Sequence, residues 1–493
     1  MLKKNSLKED FVKRTAWFNN RSSCVFPLFL TNEQDTQLVF QNYWVWKNNL
    51  MNVFCILRIR DKGGNSILNT QIDIKKHNEI SLSSLLNKDD LKFANKGTVE
   101  VEIITPDNLG YPFPAILAFY VTESQKSVVH SAGRIVNSNE EIKDSTWKES
   151  NFSIELNNSF NPFICLFFGQ SIEKRTTLKL KFNSYKNNKT LLKKSLEIDS
   201  LPFGSEIIYI KDFLNKEELK KLQKDKVFII FEVKIKGIFG RFVVGNYHKK
   251  TKQHFTTHSF QFVDPKGQDS IEKVKSNEST SFLPIFNVKP LNTKIISFPT
   301  NQKGNLKLSV ARSRVNQELL KTDEIINIKT GGLNSQVFEY SLTEDEFLKL
   351  ETDDKVPARI NVNYNFYTKK SIFPTDLATG FKARVYPPKN NHWGSGVLED
   401  KWKNIIFIRN TNHTNDSKSA KCTLKAFTNR QEIKKIVTIK SESFSFIEID
   451  NVNFNRCEES YFSWSLNSKE SSLEVFWVAF NEETGGVCAE HSF

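Results

Sequence analysis

The stretch Leu86-Asn87-Lys88-Asp89-Asp90-Leu91 has two close relatives further along this 493-residue chain. It recurs as Leu214-Asn215-Lys216-Glu217-Glu218-Leu219 and as Leu342-Thr343-Glu344-Asp345-Glu346-Phe347, at a constant interval of 128 residues (86 to 214 to 342). A fixed period over such distances indicates duplicated domains rather than a chance similarity.

Each copy of this hexamer has the pattern of a helix start. Asn87, Asn215 and Thr343 are residue types that cap helix N-termini, and an acidic residue follows three positions later in each copy. Acidic side chains in a first helical turn are explained by capping and by the helix dipole, so paired-carboxylate chemistry is not required. The pattern predicts one short helix in each of three units. A fourth unit lacks the hexamer and has Asp450-Asn-Val-Asn453 in its place.

Alternating apolar residues predict strands upstream of the hexamers. Four such stretches are Phe54-Cys-Ile-Leu-Arg-Ile-Arg60, Leu178-Lys-Leu-Lys-Phe182, Leu306-Lys-Leu-Ser-Val310 and Cys422-Thr-Leu-Lys-Ala-Phe427. Turn-rich residues follow three of them, which is typical of hairpins. We therefore expect an all-β protein of tandem antiparallel β-sandwich repeats with an immunoglobulin-like texture, the first three repeats each with one short helix.

Three polar stretches divide the chain, at 136–150, 264–281 and 387–400, and their composition suits connections. The expected domains are 21–137, 150–264, 282–386 and a degenerate fourth at 400–493, each of a size usual for a sandwich. An N-terminal segment, 1–20, has Leu7, Phe11 and Trp17 at spacings that suit an amphipathic helix.

Composition narrows the classes of partner. The formal net charge is +14, yet Lys and Glu are interspersed rather than blocked, so nucleic-acid binding is not favoured. Met1-Leu-Lys-Lys-Asn is followed by no apolar region, and no apolar run is long enough for a membrane span, so we expect a cytoplasmic or leaderless exported protein. The six cysteines share no repeat spacing, and no nucleotide, metalloprotease or nucleophile-elbow motif is present, so no cofactor is predicted.

A second repeated feature is a His-Ser pair. His130-Ser131 and His258-Ser259 are again 128 residues apart (130 to 258), and the sequence closes on His491-Ser492. One interpretation is a structural histidine on a closing strand. The other is a catalytic or ligand site in the first unit, formed by His130, Ser131 and Arg134.

A metal site built from His248, His254 and His258 is the weaker idea. Along an extended strand His254 and His258 lie about 13 Å apart. One zinc ion, with bonds of about 2 Å to nitrogen, cannot bridge that distance.

Aromatic residues give the remaining binding candidates. Trp44 and Trp46 share one face if Asn42-Tyr-Trp-Val-Trp-Lys47 is a strand, and such a face either packs into a core or stacks on a sugar ring. Tyr111 lies in a Pro- and aromatic-rich turn, and Trp393 lies in a stretch that resembles a linker.

The leading hypothesis is a non-enzymatic structural or interaction protein built from duplicated sandwich units, with a protein or a glycan as partner. The first alternative is a carbohydrate-binding protein that uses Trp44, Trp46, Tyr111 or Trp393. The second alternative is an enzyme with its site in the first repeat or at a domain junction. Oligomeric state is left open by the sequence.

Overall fold

The computed structural model describes residues 19–130, 133–136, 145–170, 174–261, 281–283, 288–299, 305–312, 321–329, 335, 337–341, 346–351, 361–379, 391–410, 419–440, 443–469 and 473–493. These residues form antiparallel sheets with three short α-helices. The all-β fold class of several sandwiches is therefore confirmed. Ser131 and most of the predicted N-terminal segment lie outside the described residues.

The first unit packs two four-stranded sheets, ordered β1-β6-β3-β4 and β5-β2-β7-β8, around one apolar core. Its strands are β1 (Arg21–Pro27), β2 (Asp35–Gln41), β3 (Phe54–Arg60), β4 (Ser66–Ile72), β5 (His77–Ser81), β6 (Thr98–Ile104), β7 (Leu117–Val121) and β8 (Lys126–His130). Its helices are α1 (Tyr43–Asn48), a 3₁₀ turn (Ser83–Leu85) and α2 (Lys88–Ala94).

The second unit follows a short strand, β9 (Arg134–Ile135), and has sheets ordered β13-β12-β15-β10-β19 and β14-β11-β17-β18. Its strands are β10 (Ser145–Ser153), β11 (Phe160–Phe167), β12 (Arg175–Ser184), β13 (Thr190–Asp199), β14 (Ser205–Tyr209), β15 (Val227–Ile235), β16 (Ile238–Phe239), β17 (Val243–His248), β18 (Gln253–His258) and β19 (Phe260–Gln261). A 3₁₀ turn (Ile210–Phe213) and α3 (Lys216–Gln223) connect β14 to β15, and β16 pairs with β9.

The third unit has sheets ordered β20-β25-β22-β23 and β24-β21-β26-β27. Its strands are β20 (Ser281–Leu283), β21 (Asn292–Phe298), β22 (Asn305–Arg312), β23 (Lys321–Lys329), β24 (Phe338–Ser341), β25 (Glu346–Glu351), β26 (Asn361–Tyr367) and β27 (Thr375–Thr379).

The fourth unit has sheets ordered β28-β33-β30-β31 and β32-β29-β34-β35. Its strands are β28 (Asn391–Val397), β29 (Trp402–Asn410), β30 (Ala420–Phe427), β31 (Glu432–Ile439), β32 (Phe444–Asp450), β33 (Tyr461–Ser468), β34 (Leu473–Asn481) and β35 (Val487–His491). A 3₁₀ turn (Asn451–Phe454) connects β32 to β33.

One topology is therefore repeated four times. Counted within each unit, the strands run 1-6-3-4 in one sheet and 5-2-7-8 in the other, with β19 added at the edge of the second unit. The paired antiparallel sheets agree with the predicted sandwiches, while the eight-strand order differs from the ABED and CFG order of immunoglobulin domains. All four stretches predicted from alternation belong to the third strand of their unit, and each forms a hairpin with the fourth strand.

The repeated hexamer marks the connection between strands five and six. In the first two units it forms the expected capped helix, with Asn87 and Asn215 as N-caps. In the third unit the predicted helix is wrong at Glu346 and Phe347, which lie in β25 and pair with β22, while residues 342–345 lie outside the described residues. Sheet pairing on both sides of β25 outweighs a local capping preference there.

The four units form a closed ring around their eighth strands. β18 lies against β8 and β27, and β35 lies against the same two strands. The apolar cores also cross unit boundaries, since Phe163 and Trp393 pack into the core of the first unit, and Val128 packs into that of the fourth. We call the meeting place of β8, β18, β27 and β35 the axis.

Candidate functional site at the axis of the four units

The repeated histidines end three of the four strands at the axis. His130 is the last residue of β8, His258 of β18 and His491 of β35. The ring of His130 lies 4.8 Å from that of His258 and 4.5 Å from that of His491, measured between ring centroids. Equivalent positions in three units thus converge on one point.

His130 connects three units by hydrogen bonds. Its Nε2 accepts from Nη1 of Arg241 in the second unit at 2.9 Å, because an arginine can only donate. Its Nδ1 therefore has the proton and donates to Oε2 of Glu490 in the fourth unit at 3.0 Å, and its backbone amide donates to the same oxygen at 3.3 Å. Burial, with Arg241 as a second cause, holds the pKa of His130 well below its usual value, so the ring is neutral.

His258 and His491 share a local geometry that His130 lacks. In each, Nδ1 donates to the backbone carbonyl of the following serine, at 3.0 Å for His258 and 2.9 Å for His491. Burial lowers the pKa of His258, and Arg241 and His130 lower it further. The duplicated pair is thus a strand ending in two units and a bridge between units in the first.

His130, Glu490 and His491 deserve a test as a metal centre because their ligand atoms lie within 4.8 Å of one another. A metal on Nδ1 of His130 would force the ring proton onto Nε2, where it would point at a second N–H, that of Arg241. The arrangement therefore favours a neutral hydrogen-bond network over a metal ion.

His248, His254 and His258, which the sequence disfavours as a metal site, do not come together. His248 bonds the Thr251 hydroxyl at 2.9 Å, within its own hairpin. His254 faces the first unit, where its Nδ1 bonds Oε1 of Gln34 at 2.8 Å. No shared ligand group of these three histidines is found among the described residues.

The tryptophans of the first unit are on a helix, contrary to the predicted strand. Helical residues two apart point in different directions, so Trp44 is 1% exposed and Trp46 is 44% exposed. Trp393 is not in a linker but in β28, where it is 6% exposed. Its ring lies 5.1 Å from Tyr43 and 5.9 Å from Trp46, with Nζ of Lys47 at 3.8 Å.

These contacts join the fourth unit to the first. Burial also lowers the pKa of Lys47 to about 8. Trp44, Trp46 and Trp393 are therefore brought together, but only Trp46 is open to a ligand.

The remaining predicted residues lie apart from one another. Tyr111 is 62% exposed in the turn after β6, and its carbonyl accepts from Nδ2 of Asn19 at 2.9 Å. Arg134 is buried in β9, in the two-stranded ladder with Phe239 that joins the first two units. His130 and Arg134 are both buried, and Ser131 lies outside the described residues, so a catalytic or ligand site formed by His130, Ser131 and Arg134 stays a prediction.

Sequence reasoning missed the partners at the unit junctions. Nδ1 of His77 bonds the Ser463 hydroxyl at 2.8 Å, and Nε2 of His77 lies 3.7 Å from Oε2 of Glu79. This resembles a serine–histidine–acid chain, but His77 and Ser463 are both 0% exposed, and Glu79 accepts the Tyr461 amide at 3.1 Å. No local signal could pair residues nearly four hundred positions apart.

Comparison with protein-family models, with curated proteins and with solved structures found no match. Within the described residues, every helix is too short or too polar to cross a membrane. The functional argument therefore depends on the geometry of the junctions.

Proposed function

We propose that this chain is a non-enzymatic structural or interaction protein, in which four duplicated sandwiches are clamped into a ring that presents its outer surface to a partner. The observation behind the proposal is the fate of the duplicated histidines. Their rings meet at the axis, where His130 is buried and joins three units by hydrogen bonds.

Some of the polar contacts between units involve buried groups, which supports a rigid ring. Lys126 of the first unit is buried, and its Nζ pairs with Glu399 of the fourth unit at 2.7 Å while lying over the rings of Trp402 and Tyr461. Separating the units would take the Glu399 carboxylate and the two aromatic rings away from the buried Lys126 ammonium.

Histidine use follows the same rule. Of the seven histidines that the structure describes, six are buried, and His77, His130 and His254 each bond a residue of another unit. A histidine that is hydrogen-bonded across two units orients the junction. It is poorly suited to proton transfer with a substrate that must reach it from solvent.

Limited proteolysis of the full chain tests the clamp. A rigid ring should release no independently folded sandwich under native conditions, because the eighth strands of neighbouring units lie against one another and hold cleaved units together. Release of stable fragments the size of one unit would contradict the proposal.

A substrate screen tests the non-enzymatic part. Turnover of glycans, esters and phosphate monoesters should stay at the background of buffer. Turnover that is lost in His130→Gln but kept in the matched control His248→Gln, whose histidine bonds within its own hairpin, would establish the enzyme alternative instead.

A glycan-binding role is the second candidate, favoured by the exposure of Trp46 and Tyr111. Binding on a glycan array that Trp46→Ala or Tyr111→Ala abolishes would support it. A blank array at high protein concentration would remove it.

A further inference from the structure

The hydrogen bond between Arg241 and His130 requires a lone pair on Nε2 of the imidazole. A proton on that nitrogen would turn the acceptor into a donor and place an imidazolium against a guanidinium at hydrogen-bond distance. We propose that His130 is an acid-sensitive latch. Its protonation expels Arg241 and opens the seam between the first and second units, which is the contact of β8 with β18, while the four sandwiches stay folded.

The charges that face His130 come from three elements. Arg241 precedes β17, His258 is on β18, and Glu490 and His491 are on β35. Burial is the larger cause of the lowered pKa of His130, and the Arg241 guanidinium, 2.9 Å from Nε2, lowers that pKa further. On the other side of the ring the Glu490 carboxylate accepts from Nδ1 at 3.0 Å.

Release of Arg241 changes that balance. With the guanidinium in water, an imidazolium at His130 keeps the Glu490 carboxylate as its partner through Nδ1. The closed seam therefore contains neutral His130 bonded to both groups, and the open seam contains charged His130 paired with Glu490. Acid selects the second arrangement, since only that arrangement takes up the proton.

The same geometry predicts which seam opens. The contact that is lost joins the first unit to the second, whereas the contact that is strengthened joins the first unit to the fourth. Asp376 of the third unit lies further along the axis, where it lines a small cavity with Ser127 and Thr256. The hydroxyls of Ser127 and Thr256, 2.9 Å apart, are the next contact of the opening seam.

His254 also holds the first and second units together along the seam. Its ring stacks on Phe29 of the first unit with centroids 3.7 Å apart, its Nδ1 bonds Gln34, and its Nε2 accepts from the Tyr209 hydroxyl at 2.9 Å. Burial lowers the pKa of His254 to about 3, and Lys96 adds to the effect. Tyr209 can rotate its hydroxyl to meet a protonated ring, which Arg241 cannot do at His130.

Hydrogen exchange read by mass spectrometry tests the latch on the full chain. Protection, corrected for the intrinsic effect of pH on exchange, is compared at pH 7.5 and pH 5. Peptides from β8 and β18 should lose protection at pH 5 while peptides from β29 and β34 keep it, and small-angle scattering should show an expanded particle. Loss of protection in all four units together would overturn the proposal, because it would indicate acid unfolding without a seam.

Arg241→Gln separates the latch from general acid sensitivity. A glutamine is neutral and can turn its amide oxygen towards a protonated Nε2, so the ratio of protection between pH 7.5 and pH 5 at β8 and β18 should fall well below that of the wild type. His130→Gln should also reduce the pH dependence, leaving the part that His254 and His258 contribute, and His248→Gln should retain it in full. An Arg241→Gln protein with the wild-type ratio would overturn the proposal even if His130→Gln fails to fold.

Discussion

The capped helix and the closing His-Ser strand were copied at the same interval but meet different surroundings. The helix depends on its own residues. The backbone amide of Glu218 donates to Oδ1 of Asn215 at 2.9 Å, and the backbone amide of Asn215 donates to the Glu218 carboxylate at 3.0 Å. The strand depends on other units, because His130 is held by Arg241 and Glu490. The capped helix therefore keeps the same local role in the first two units, whereas the His-Ser strand of the first unit also joins units at the axis.

The largest expected effect is a loss of stability at low pH, caused by the buried histidines at and beside the axis. The pKa values of His130 and His258 lie well below the usual value, and that of His254 falls to about 3, because burial disfavours the charged ring. A lowered histidine pKa means that the unfolded chain binds more protons below about pH 6.5, so stability is complete above that pH and is lost as the pH falls. Each of the three rings should cost about 2 kcal/mol at pH 5.

Urea unfolding at pH 7.5, 6 and 5, followed through the fluorescence of the buried tryptophans, checks this expectation. The midpoint should fall steadily below about pH 6.5. An unchanged midpoint down to pH 5 would show that His130, His254 and His258 are not held neutral in the folded protein.

The second largest effect is expected on removing the carboxylate of Glu490 at the axis. Glu490→Gln replaces a carboxylate that accepts the His130 ring, the His130 amide and the His491 amide, and its new N–H groups cannot all avoid these donors. The free energy of unfolding should fall by about 3 kcal/mol. Thermal unfolding checks it against Glu482→Gln, since Glu482 pairs with Lys403 at an exposed site. Equal effects in the two variants would remove the distinction between axis and surface.

The third effect belongs to the helix. Asn215→Ala deletes the cap of α3 and should cost about 1 kcal/mol, because one amide of the first turn loses its acceptor. Hydrogen exchange should show fraying confined to residues 216–223, with β18 unaffected. A loss of protection at the axis in this variant would mean that helix and strand are coupled.

The smallest effect is expected in the fourth unit. Asp450 caps the 3₁₀ turn Asn451–Phe454 through the Asn453 amide at 3.1 Å. Asp450→Ala should cost about 0.5 kcal/mol, at the low end for caps, since a single short turn has few amides to satisfy. Chemical denaturation of this variant beside Asn215→Ala ranks the two, and a larger loss for Asp450→Ala would reverse the order.

Local pattern predicted the strands well where alternation was strong. The stretch from Phe54 to Arg60 is β3 from its first residue to its last, and the caps at Asn87 and Asn215 form as expected. The same reasoning failed at Tyr43 to Lys47, where alternating aromatics form a helix whose buried face packs on the first and fourth units. Period alone cannot distinguish strand from helix over so short a run.

The site was less predictable than the fold. The His-Ser repeat draws attention to His130, but no local signature connects Glu490 and Arg241 to it. The polar neighbours of Trp393 predict a linker, while its burial depends on Tyr43 and Trp46 of another unit.

By itself, the sequence determined that a domain was duplicated, that the domain is built of antiparallel strands, and where two capped helices begin. The strands and the caps depend on residues within about ten positions of one another, where periodicity and capping act directly, and the duplication is visible in the constant interval of 128 residues. Only the tertiary structure decided that the four units close into a ring and that a repeated histidine bridges three of them. Hydrogen-bond partners separated by 111 and 360 residues become neighbours only through packing, and packing is what sets the protonation state of His130.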